Sequence, residues 1–196
     1  MSDWTIAFLF TYKAQAIIDA LQRAIRPDLI VITLCVLYLI YVAIAKILRK
    51  TYFDRKLLPI ILIVLVLGIT HLQDTFKRLQ YFQSEYAKLD AIYENQEYKI
   101  TEGSVAVQHT QPAEGHTAGD IIRVGDVTIE YSCFNSTLGY SETIAYGGIL
   151  TEGTIARIYY YQSGIDNPEQ NLILRIDLPN NKSTINENHA LFQCTR

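Results

Sequence analysis

The chain lacks the short signatures that common enzymes and metal proteins carry. Among its three cysteines and four histidines there is no C-x-x-C and no H-x-x-x-H pair, so the tight ligand spacing of a zinc site is missing. There is no G-x-S-x-G elbow and no S-x-x-K pair, the marks of two large groups of serine hydrolases. The pair Gly147-Gly148 is followed by Ile149-Leu150 and not by Lys-Ser/Thr, which excludes a P-loop. It also precedes no helical pattern, so no helix dipole is on hand to hold a phosphate. The first three residues, MSD, lack the positive charge of a secretory signal, although WTIAFLFTY and Ala14-Gln15-Ala16 otherwise resemble one.

Charge is also missing where it matters most. Leu57 to Leu72 contains no Asp, Glu, Lys or Arg, and Leu29 to Leu48 contains only Lys46, near its end. At 1.5 Å per residue the twenty-residue run is roughly 30 Å long, the thickness of a bilayer core. Two such runs joined by a short loop predict a transmembrane hairpin, residues 28–73. The loop at 49–56 holds four basic residues, which by the positive-inside rule belongs in the cytoplasm and leaves both termini outside.

The two halves differ in charge. Residues 1–96 hold eleven Lys and Arg against eight Asp and Glu, a net of +3; residues 97–196 hold six against twelve, a net of −6. An acidic second half argues against nucleic-acid binding. Before the hairpin, Phe8, Leu9, Tyr12, Ile17, Leu21 and Ile25 fall near one helical face, predicting an amphipathic helix over 1–27. It lies in the interface anchored by Trp4, or packs on the hairpin. After it, Phe76, Leu79, Phe82, Tyr86 and Leu89 run at near-heptad spacing and continue to Tyr93, predicting a helical stalk over 74–96. That seam serves a homodimer or a one-sided contact with the following domain.

From Glu97 the period becomes two. EYKITEGSVAVQH, DIIRVGDVTIEYSCF, TIARIYYY and NLILRIDL read as strands, ALFQC as a possible fifth, and Gly125-Asp126 as the turn of a hairpin. Short strands without a helical pattern predict an acidic all-β domain over 97–196, a small partly closed barrel of the OB or SH3-like kind. The stretch from Val124 to Tyr161 and the strand after it resemble a widespread, uncharacterised small bacterial β-barrel domain. The resemblance rests on Tyr131-Ser132, Gly147-Gly148, Gly153, Arg157-Ile158, Tyr160 and Ile173-Leu174-Arg175. Tyr146 stands where members of that family often carry histidine. The resemblance implies a fold and no particular activity.

Within this domain Gly147, Gly148 and Gly153 read as turn residues, and Arg157 and Arg175 as anchors that pair with Glu or Asp. Tyr140, Tyr146 and Tyr159 are candidates for a partner-binding face, since Tyr with nearby Asn, Ser and Thr suits protein or glycan contacts. Cys35 falls in the first span; Cys133 and Cys194 form a disulfide if the domain lies outside the cytoplasm, or remain buried thiols. His109, Glu114 and His116 flank a loop, His71 ends the second span, and Glu130, Glu142 and Glu152 are acids of open purpose. None composes a catalytic, cofactor or metal site. The expectation is an inner-membrane, multi-pass, non-catalytic protein that displays a small β-domain to a protein or glycan partner, on the periplasmic side. An immunity or accessory protein acting through its hairpin, and an envelope hydrolase, are the alternatives.

Overall fold

The computed structural model describes residues 4–47, 57–115, 117–134, 137–162 and 171–179. The loop at 49–56, Asn135, Ser136, His116, Asn180-Asn181, the ALFQC segment, His189 and Cys194 lie outside the described residues. The chain divides into two compact units, one of Met1–Ala16 with Glu85–Arg196 and one of Ile17–Ser84.

The second unit is helical. It holds α1 (Phe10–Ile47) from Ile17 onward and the first part of α2 (Leu57–Glu94). Both helices are long and apolar enough to cross a membrane, by length and composition. They run antiparallel side by side: Gly68 faces Ile32, and the His71 ring nitrogen lies 2.8 Å from an Asp28 carboxylate oxygen. Almost none of the apolar windows is buried, and Ile30, Leu34, Ile63 and Leu67 are each about 60% exposed. A soluble core helix would hide these rows, so their exposure favours lipid as the missing solvent. Pro27 sits inside α1, where its ring removes one backbone bond without ending the helix.

The first unit is built on a six-stranded antiparallel sheet of order β1-β6-β5-β2-β3-β4. Its strands are β1 (Trp4–Leu9), β2 (Lys99–His109), β3 (Asp120–Val124), β4 (Val127–Tyr131), β5 (Ile155–Gln162) and β6 (Asn171–Pro179). Five strands, β2 to β6, follow the four predicted segments, and Gly125, in the left-handed region at φ 59°, turns β3 into β4. Alternation sends Ala156, Ile158 and Tyr160 inward from β5, against Ile122, Ile129 and Ile173. Each fully buried Ile there contributes about 1.5–3 kcal/mol. The sheet is not closed. Its edges are β1 and β4, though the Asn171 amide at the start of β6 donates to the Thr128 carbonyl of β4 at 2.9 Å.

One expectation is corrected. The amphipathic helix over 1–27 begins only at Phe10, because Trp4–Leu9 forms β1 and pairs antiparallel with β6. This uncharged, aromatic and β-branched hexapeptide satisfies the otherwise open edge of β6, a partner some 170 residues away that no local pattern shows. The stalk is helical, as expected, and continues the second apolar run, since α2 runs unbroken from Leu57 to Glu94. Of the five seam residues Phe76 alone is exposed; Leu79 and Leu89 are buried and the Tyr86 ring lies against Phe10 within the same chain.

Phe10, fully buried at the junction of β1 and α1, holds the rings of Tyr86 and Tyr93 from α2, at centroid distances of 6.1 and 5.8 Å. Replacing Phe10 with Ala is expected to cost about 3–5 kcal/mol. The half-exposed Ile6→Ala should cost under about 1 kcal/mol. Denaturant unfolding of the two variants, followed by tyrosine fluorescence, checks the difference.

Candidate functional site

The three candidate tyrosines do not share a face. Tyr140 is only 2% exposed: its ring stands edge-on to Phe8 and Tyr131, and its hydroxyl accepts the Ile149 amide at 2.8 Å. Burial pushes its phenol well up from the ordinary value. Tyr140 is therefore a core residue and leaves the partner-binding set. The reason is one of loop geometry, which bends the segment after β4 back over the open core.

Tyr159 belongs to a packed ladder. Its ring meets Tyr98 at 5.4 Å, Tyr98 stacks on Tyr93 at 5.3 Å, and Tyr93 meets Phe10. The Arg175 guanidinium lies 4.8 Å over the Tyr159 ring while pairing with both Asp177 oxygens at 2.7 and 2.9 Å and donating to the Tyr93 hydroxyl. The Asp177 hydrogen bonds hold Arg175 above its ordinary pKa. Arg157 pairs with Glu102 at 2.8 Å and covers the Trp4 ring at 4.5 Å. Both arginines thus have the acidic partners expected of them, and each also clamps an aromatic ring of the sheet's outer face.

The glycines act as turns. Gly147 (φ 83°) closes the 3-10 turn Ile144–Tyr146, and Gly153 (φ 76°) turns the chain into β5. Gly148 has no such φ, but a Cβ there would collide with the Glu142 carbonyl oxygen. The three glycines of the Ala145–Tyr161 stretch thus serve turns and a close backbone approach that lead into β5.

Tyr146 lies in a different place, among three loops at the β3–β4 end of the sheet. Asp120, fully buried, opens β3 at an inward position. One of its oxygens accepts the Gln111 amide at 2.7 Å and the other the Ile144 amide at 2.6 Å. A single carboxylate thus ties the loop after β2 to the 3-10 turn. Gln111 extends the link by accepting from the Ser132 hydroxyl at 2.9 Å, and Ser132 in turn accepts the Phe134 amide. On this base Tyr146 donates to the Ala113 carbonyl at 2.7 Å, and its ring stands edge-on to Phe134 at 6.5 Å. Phe134 is 44% exposed and lies over Gly115. Burial, with the Asp120 carboxylate close by, pushes the Tyr131 phenol up as well.

Sequence reasoning passed over Asp120, Gln111 and Phe134. The available signal was an acid at an inward position of β3, in register with Ile122 and Val124. Cys133, between Ser132 and Phe134, is disulfide-bonded and Cys35 is free. The three acids make separate contacts: Glu130 accepts the Gly119 amide and Glu152 the Val107 amide, while Glu142 lies by Lys13. Among the described residues no cluster of three His, Cys, Asp or Glu is placed to hold a metal, and His71 is engaged with Asp28. Compared with known proteins, the chain matches no family model, no curated protein and no solved structure.

Asp120→Ala strands two buried amides and is expected to cost about 3 kcal/mol or more. Proteolysis in the 111–119 and 143–148 loops should rise in the same variant, read by limited digestion and mass spectrometry. For the cysteines, Cys133 should take up a thiol label only after reduction, whereas Cys35 is labelled in the unreduced, denatured chain.

Proposed function

We propose that this is a membrane-anchored protein whose β-domain presents the Tyr146–Phe134 loop cluster to a protein partner. The observation that carries the reading is an aromatic pair held at the surface by loops that a buried carboxylate organises beforehand. Aromatic side chains on a preorganised base lose little conformational entropy on binding, which is how recognition surfaces gain affinity. The exposed apolar rows of α1 and α2 supply the anchor, and the four basic residues of the 49–56 sequence support a β-domain on the periplasmic side of a bacterial inner membrane. The approach of β6 to β4 supports a partly closed barrel of the OB or SH3-like kind, in keeping with the bacterial domain that its sequence resembles.

Photo-cross-linking amino acids installed at Phe134 and Tyr146, with Lys99 at the opposite end of β2 from the Gln111 loop as control, test the partner surface in living cells. Discrete adducts from positions 134 and 146 and none from 99 are expected. Equal adduct patterns at all three would reject the surface. Protease added to spheroplasts should digest the β-domain from outside; full protection would reverse the orientation.

A further inference from the structure

Lys13, one turn into α1, extends across to the segment between β4 and the 3-10 turn. Its Nζ lies 2.8 Å from the Gly139 carbonyl oxygen and 2.7 Å from the Ser141 hydroxyl oxygen. Burial lowers its pKa from 10.5 to about 8, against the opposing pull of the Glu142 carboxylate, which faces it from the same loop. About one molecule in ten then holds a neutral amine at pH 7, against about one in several thousand for an ordinary lysine.

The same two contacts suit both protonation states. An ammonium donates to both oxygens. A neutral amine donates one N–H to the Gly139 carbonyl and turns its lone pair to Ser141, whose hydroxyl then donates. A proton therefore passes between Ser141 and Lys13 with no movement of heavy atoms. Ser141 is partly exposed on its loop.

We propose that Ser141 is a nucleophile and Lys13 its general base, together giving the domain acyl-transfer activity on an ester or amide. Ser141 Oγ bonds to the carbonyl carbon as its proton moves to Lys13 Nζ. The C–O or C–N bond to the leaving group then breaks, and that group takes the proton from the Lys13 ammonium. Water attacks the acyl-serine, gives one proton to Lys13 and releases the carboxylic acid. Lys13 returns its proton to Ser141. This step goes beyond display of a binding surface and stands apart from Tyr146 and Phe134.

The test treats the full-length protein in detergent micelles with an alkyl fluorophosphonate, which phosphonylates activated serines, and locates the adduct by peptide mass spectrometry. The adduct is expected on Ser141, with a labelling rate that climbs as pH passes about 8. Lys13→Arg keeps the cation and its donors but takes up no proton, and should slow labelling by about 100-fold or more. Circular dichroism and the unfolding midpoint establish that this variant is folded. A wild-type protein without an adduct on Ser141 overturns the proposal, as does a folded Lys13→Arg labelled at the wild-type rate. Should the variant not fold, a flat wild-type pH profile overturns it instead.

Discussion

The carboxylate of Asp120 is the constraint on which the loop end of the β-domain depends. A charge buried without partners costs far more than one side chain's packing can return. Here each oxygen takes a short bond from a backbone amide, Gln111 on one loop and Ile144 on another. Those amides lie outside any strand ladder and would themselves be stranded without an acceptor. The carboxylate and the two loops therefore need one another. Gln111, Ser132, Phe134 and Tyr146 follow from that arrangement in order, each hydrogen-bonded or stacked on the one before.

A second organising element lies on the outer face of the sheet. Tyr159, Tyr98, Tyr93, Phe10 and Tyr86 meet in sequence, and Arg175 locks the ladder by pairing with Asp177 and capping Tyr159. The ladder joins the start of α1, the end of α2 and two central strands into one packed body. Lys13 adds a polar stitch on the loop side, from the first turns of α1 to Gly139 and Ser141. The residues richest in chemistry are thus placed by helix ends as much as by the sheet.

Much of this architecture is legible along the chain. The two apolar runs, the change of period after Glu97, the Gly125 turn and five strands all follow from local rules of length, alternation and turn chemistry. The roles of Gly147, Gly153, Arg157 and Arg175 were readable for the same reason, since each depends on its neighbours or on an opposite charge across a strand pair. Tyr140 and Tyr159 were not. Whether a tyrosine faces solvent depends on what packs against it: Tyr140 meets Phe8 and Tyr131, and Tyr159 meets Tyr98 and Arg175.

The sequence alone therefore determined the elements whose cause is local: helices long enough for a bilayer, strands with an inward face, and the turns between them. Only the tertiary structure decided that Trp4–Leu9 is a strand, since its hydrogen-bond partner lies at the opposite end of the chain. The same holds for Lys13 with Ser141 and for Asp120 with Ile144. A contact across 128 or 24 residues leaves no periodic trace, because its stability comes from burial and paired geometry that exist only after the chain has closed upon itself.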